Sequence, residues 1–207
     1  MTRLAEALDA VAEEIIAQQD YLTALDEKIG DGDHGRNMAR GFSAAKKAVE
    51  AMEDTSEPGP VLKTIGKALI ENVGGAAGPL YGIGFIKAGE ACDEQTKLDA
   101  PSIGKLLTAA IDAIKKRGFA DKGDKTMLDT LIPVRDCFLP ENANGKRLFE
   151  VLADANAAAK NGVKYTKTIA ARKGRASLIG ERSIGVADPG ATSALVMYQA
   201  LYTFLRH

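Results

Sequence analysis

The sequence predicts an all-α fold, and three observations carry that prediction. The 207 residues include 34 Ala against 6 Phe, 5 Tyr and no Trp. Ala has the best helix propensity, whereas aromatic residues favour strands. Apolar residues recur at three-and-four spacing through most of the chain, which is the helical period. No stretch shows the sustained apolar-polar alternation of a half-buried strand.

Eight helical stretches follow in order. The first covers Arg3 to Gln19, with Leu4, Leu8, Val11 and Ile15 on one face. The second follows Gly35 and carries Met38, Phe42, Ala45 and Val49. The third starts near Pro60, a good first-turn residue, carries Leu62, Ile65, Leu69 and Val73, and stops at Gly74-Gly75. The fourth runs from Pro79 through Leu80, Ile83 and Ile86 towards Cys92. The fifth starts at Pro101, uses Ile103, Leu107, Ile111 and Ile114, and ends at Arg117-Gly118. The sixth spans Thr126 to Leu139, where Pro133 should kink it or end its first half. The seventh is long and Ala-rich, from Gly145 to Arg172, and the eighth runs from Pro189 to the end. Short connections make neighbours antiparallel. The expectation is one domain over residues 1–207, an eight-helix antiparallel barrel or bundle. One connection, Lys173 to Asp188, is long and without period. Such loops are commonly lids or disordered segments.

Composition narrows the function. Lys plus Arg is 27 and Asp plus Glu is 28, a net charge of -1. A nucleic-acid or anionic-membrane binder would carry a basic excess. Cys92 and Cys137 form no CxxC pattern, which argues against a disulfide framework or a cysteine zinc site and suits a reducing compartment. The longest uncharged run, Pro189 to Leu205, falls short of the roughly 20 apolar residues of a membrane span. Carboxylates near the N-terminus occupy the place of a signal peptide's apolar stretch. A soluble, cytoplasmic protein is expected.

The most informative stretch is LDEKIGDGDHG. Asp26, Asp31 and Asp33 alternate with Gly30, Gly32 and Gly35, so the backbone can turn all three carboxylates to one point. Oxygen ligands of this kind favour Mg2+ over Zn2+. A solvated Asp/Gly turn capping the next helix is the competing reading. Gly30 to Gly35 formally matches GxGxxG, but no strand precedes it and its aspartates would repel a pyrophosphate. An EF-hand would need an oxygen ligand where Gly35 stands and Glu where Phe42 stands. Three carboxylates and a nucleotide di- or triphosphate repel one another, and two Mg2+ ions bring the sum nearer balance than one.

Other turns carry weaker signals. NVGGAAG, residues 72–78, presents amides before a helix and serves equally well as a phosphate cradle or as close helix packing. GFADKGDKT, residues 118–126, resembles a P-loop, but Asp124 intrudes and no strand precedes it, which leaves a polar capping turn. Arg172, Lys173, Arg175 and Arg182 suit phosphate oxygens, though such a charge run is commonly a solvated face. Asp188-Pro189 has the pattern of an N-cap followed by a first-turn proline. His34 stands where the second stretch begins, and His207 is terminal and carries no signal.

KIGDGDHGRNMARGF, NVGGAAGPLYG, GDKTMLDTLIP and ARKGRASLIGERSIGVADPGATS together resemble the L subunits of bacterial dihydroxyacetone kinases, in order and over nearly the whole chain. The resemblance implies an eight-helix barrel with the nucleotide at one rim. It implies two Mg2+ ions on Asp26, Asp31 and Asp33, bridging the phosphates of ADP or ATP. It places nucleotide contacts on His34, Gly35, Arg36, Asn37, Ala76, Ala77, Gly118, Met127, Arg175, Asp188, Pro189 and Gly190, with Arg175 stabilising the transferring group. Many members have Ser where Ala77 stands, which implies weaker binding here. A separate K subunit holds the ketose, and in the phosphotransferase-system version an M subunit rephosphorylates bound ADP. Three alternatives are an ATP-dependent kinase subunit for erythrulose or another short ketose, a stand-alone metal-dependent phosphohydrolase, and a nucleotide-binding regulator of a transcription factor.

Overall fold

Capping chemistry sets several helix starts. The structure, a computed structural model, describes residues 2–53, 55–92 and 99–206, so His207 lies outside the described residues. The helices are α1 (Arg3–Ala17), α2 (Gln19–Ile29), α3 (His34–Glu50), α4 (Pro58–Asn72), α5 (Ala77–Ala91), α6 (Ala100–Gly118), α7 (Leu128–Cys137), α8 (Pro140–Ala143), α9 (Leu148–Thr166) and α10 (Pro189–Leu205), with a 3-10 segment over Arg175–Ser183. Thr2, Asp99 and Asp188 accept a first-turn amide at the starts of α1, α6 and α10. Proline stands in the first turn of α4, α6, α8 and α10, where its missing N–H costs nothing.

Eight of these helices close a ring. Going round it, α1 packs on α3, then α4, α5, α6, α7, α9 and α10, and α10 returns to α1. These are the eight stretches the sequence predicts. Their inward faces bury Ile15, Met38, Phe42, Val61, Leu69, Ile111 and Leu128. Burial stabilises such a core by about 25 cal/mol per Å2 of apolar surface. Between α4 and α5 the backbones nearly touch: a Cβ on Gly66 would lie 2.6 Å from the Gly82 carbonyl oxygen, and one on Gly82 would lie 2.7 Å from that of Gly66.

Four chain reversals gather on one rim: residues 30–33, 73–76, 119–127 and 167–188. The expected boundaries differ at several points. The first stretch ends at Ala17, close to the expected Gln19, and a helix outside the eight stretches, α2, buries Leu22, Leu25 and Ile29 beneath the rim. Pro133 does not end α7, which continues through it to Cys137, although the Asp129 carbonyl loses its helical N–H donor there. Helix α9 stops at Thr166 rather than Arg172. The Lys125 ammonium takes the carbonyls of Thr166 and Ile169, and the Gly185 amide takes that of Lys167 at 2.8 Å. The long connection is not featureless, because 3-10 turns fill it and Gly180 breaks them at φ 53°. Among the described residues there is no strand, and no helix is long and apolar enough to cross a membrane.

Candidate functional site

The acidic cluster is built by the end of α2 and the start of α3. Asp26 sits in the last turn of α2, Asp31 in the connecting turn, and Asp33 at the N-cap of α3. Gly32 makes that turn at φ 71°, a conformation a side chain would strain. One oxygen from each carboxylate lies within 4.8 Å of the others, and this is the one group of metal-ligating side chains among the described residues. Asp26 Oδ2 accepts the amides of Asp33 at 2.9 Å and His34 at 3.1 Å, which fixes its orientation. The Arg175 Nε atom donates to Asp31 Oδ2 at 2.8 Å. Three converging carboxylates with no sulfur ligand fit a hard, oxygen-seeking cation.

The cluster opens into a cavity of about 450 Å3, within the range of small-ligand sites. Four rim segments line it, so residues far apart in sequence meet there. Asp26, Asp31, Asp33, His34, Ala76, Ala77, Gly118, Met127, Arg175, Asp188, Pro189 and Gly190 all lie on its wall. Of the basic residues in the long connection, Lys173 and Arg175 reach it, and Arg117 joins them from α6. A larger groove of about 1190 Å3 runs along α1 and α10, but the acidic cluster lies elsewhere.

Three residues named from the resemblance stand behind this wall. Gly35 is buried against α2, where a Cβ would meet the Gln19 carbonyl at 2.0 Å. Arg36 turns outward, and its Nη2 donates to the Gly32 carbonyl at 2.6 Å. Asn37 accepts from Arg40 Nη2 at 2.7 Å, and its side chain supports the backbone of Gly74. The helix supplies no acceptor for the first-turn amides of Gly35 and Arg36.

Other residues on or behind the wall escaped the sequence reading. Tyr81 donates to the Gly190 carbonyl at 2.8 Å and shares a hydrogen bond with Ser193 Oγ at 2.9 Å. Ser193 also pairs with His34 Nε2 at 3.0 Å, so α3, α5 and α10 are tied together beside Gly190. Burial pushes the Tyr81 phenol well above its ordinary range. Burial holds His34 below its ordinary value against the opposing pull of Asp26 and Asp33, favouring the neutral ring. Burial also pushes the Asp188 carboxyl up to about 7, although the Ala191 amide, donating at 2.7 Å, favours its charged form. Lys125 lies buried in the turn read as a polar cap, and Asp129 lies buried in the first turn of α7. Asp129 accepts from Gly123 at 2.6 Å and Thr126 at 2.8 Å, which ties the turn to α7, but the N-cap residue, Met127, makes no side-chain cap. GDKT was visible as a near P-loop, but nothing in that spacing shows that the lysine points inward.

Ring and rim define the class: an all-α barrel with a carboxylate cluster and a ligand-sized cavity at one end. Residues 28–203 match the DAK2 domain family, and the chain belongs to it. It is 41% identical over 184 residues to the "PEP-dependent dihydroxyacetone kinase, ADP-binding subunit DhaL" of Escherichia coli, covering 89% of this chain and 87% of that one. It is 37% identical over 196 residues to the PTS-dependent ADP-binding subunit DhaL of Lactococcus lactis, covering 95% and 93%. The crystal structure of the "dihydroxyacetone kinase from C. freundii in complex with AMP-PNP and Mg2+" superposes with a TM-score of 0.78 at 26% identity, over 98% of this chain. This chain spans only 34% of that kinase.

Proposed function

We propose that this chain is the nucleotide-carrying subunit of a cytoplasmic, multi-subunit dihydroxyacetone kinase, acting as a single domain. The observation that carries the reading is the convergence of Asp26, Asp31 and Asp33 at the mouth of a cavity shared with Arg175. In this reading the three aspartates hold two Mg2+ ions, which when bound neutralise the nucleotide phosphates and keep them in line. Arg175 exchanges its hold on Asp31 for an oxygen of the transferring phosphoryl group. Its guanidinium presents several donors in a plane, so one carboxylate and one phosphate suit it alike. Met127, Gly118 and residues 188–190 form the wall that receives the base, and the N-terminus of α5 at Ala76 and Ala77 offers amides to a phosphate.

Transfer then needs an acceptor brought by another protein. The partners proposed are a K subunit that holds the ketose and an M subunit that rephosphorylates bound ADP. The likeness to ADP-binding subunits of PEP-dependent kinases, along 89% of this chain, supports this reading over a free-standing hydrolase. The test is to purify the chain under native conditions, release and identify its nucleotide, and then assay it alone and with both partners. One equivalent of ADP and no ketose phosphate without partners is the expected result. Steady phosphate release from ATP by the chain alone would overturn the reading in favour of a phosphohydrolase.

A further inference from the structure

Lys125 is 1% exposed, and its ammonium meets four backbone carbonyls. Its Nζ donates to Thr166 at 2.6 Å, Ser183 at 2.7 Å, Val186 at 2.8 Å and Ile169 at 3.2 Å. An ammonium has three N–H bonds, so the three short contacts account for them and Ile169 shares. All four partners only accept, and a buried cation is tolerated when its donors are satisfied in this way. Two pairs of these carbonyls belong to different segments. Thr166 and Ile169 close α9, while Ser183 and Val186 close the 3-10 segment.

The backbone of Lys125 is itself held for this purpose. Its φ is 60°, an unusual value for a residue with a side chain. Asp129, fully buried, accepts the amides of Gly123 and Thr126 on either side and so fixes the turn. Further bonds stitch the same junction. Ala171 N donates to Ser183 Oγ at 2.9 Å, Asp188 N to Thr166 Oγ1 at 3.0 Å, and Arg172 N to the Asp124 carbonyl at 3.1 Å. Three pieces of the cavity wall leave this one point: Met127 two residues after Lys125, Arg175 at the head of the 3-10 segment, and residues 188–190 just beyond it.

We propose that Lys125 is a positioning residue for the nucleotide, whose ammonium locks the end of α9 to the 3-10 segment and so sets Met127, Arg175 and Gly190 at their mutual spacing. This inference rests on the nucleotide-binding reading given above. It also separates two functions on the rim, because the acidic cluster is built by α2 and α3 and owes none of these bonds to Lys125.

The test compares wild type with Lys125→Met, which keeps an unbranched apolar side chain one atom shorter and removes the donors. Two ligands are measured at a temperature where circular dichroism shows both proteins folded. Mn2+ alone, followed by electron paramagnetic resonance, reads the aspartates, and calorimetry with Mg-ADP reads the assembled wall. Mn2+ affinity should stay within twofold while Mg-ADP affinity falls at least tenfold. Mg-ADP affinity within threefold of wild type overturns the proposal, and so does an equal loss of both affinities, which would mean general damage to the rim. Wild-type protein that binds neither ligand overturns the nucleotide reading and this one with it. If Lys125→Met does not fold, hydrogen exchange on the wild type decides. The amides of Ala171, Gly185 and Asp188 should slow together at least tenfold on adding Mg-ADP, and unchanged exchange overturns the proposal.

Discussion

Replacing Asp31 by Asn should separate binding from stability more sharply than any other change at the rim. Among the described residues the carboxylate pairs with Arg175 Nε at 2.8 Å, and those side chains are 35% and 66% exposed. An ion pair open to solvent to that extent contributes only about 0–1 kcal/mol. Losing it should therefore shift the unfolding free energy by less than about 1 kcal/mol. The effect on binding is of another order. Asp31 supplies one of three converging oxygens, and the remaining two would have to neutralise the same phosphates through a poorly held cation. Mg-ADP affinity should fall at least about 100-fold, equivalent to roughly 2.8 kcal/mol. Calorimetry with Mg-ADP measures the first quantity, and urea unfolding in EDTA measures the second. Mg-ADP affinity within a few-fold of wild type would refute the metal assignment for Asp31. A stability loss of several kcal/mol would refute the view of its ion pair as a weak surface contact.

Two further outcomes follow from the same geometry. Trypsin should cut quickly after Lys173 and Arg175, beyond the anchored junction, and slowly after Arg182, because the next residue, Ser183, is bonded through its carbonyl to Lys125 and through its hydroxyl to the Ala171 amide. Mg-ADP should slow the first two cuts at least about tenfold, or roughly 1.4 kcal/mol if cleavage follows the open population, and equal rates with and without it would remove Arg175 from the nucleotide site. The Asp188 carboxyl, pushed up to about 7 by burial, keeps a proton in the folded chain that an unfolded chain releases near pH 4. Its contribution to stability is therefore complete below about pH 4 and lost as pH rises through about 7. Asp188→Asn can still accept the Ala191 amide but cannot titrate. Urea unfolding in EDTA should show wild type losing at least about 1.4 kcal/mol more than the variant between pH 4.5 and 7.5, and parallel pH profiles would show that Asp188 is charged throughout.

The features legible in the amino-acid sequence are periodic or local. The eight ring helices were legible because Leu4-Leu8-Val11-Ile15 or Ile103-Leu107-Ile111-Ile114 repeats the helical period, and because proline and capping residues mark several starts. The acidic cluster was legible because its three aspartates lie within eight residues and the bend between them needs glycine. The cap at Asp188 was legible for the same local reason. Tertiary structure alone decided what depends on long-range meeting. No proline or glycine near Gln18 announces a new helix, so the eight predicted stretches leave α2 out. Gly35 packs against Gln19 of α2 and Asn37 lies against Gly74, contacts that no local spacing shows. Tyr81 and Ser193, separated by 112 residues, share a hydrogen bond beside Gly190. Lys125 is the sharpest case, since its spacing suggested a solvated turn while its ammonium lies beneath the rim. A lysine side chain points inward only when carbonyls from other segments are placed to replace its water. Those carbonyls, on Thr166, Ile169, Ser183 and Val186, lie 41 to 61 residues away in the chain, and backbone acceptors leave no mark in the sequence of side chains.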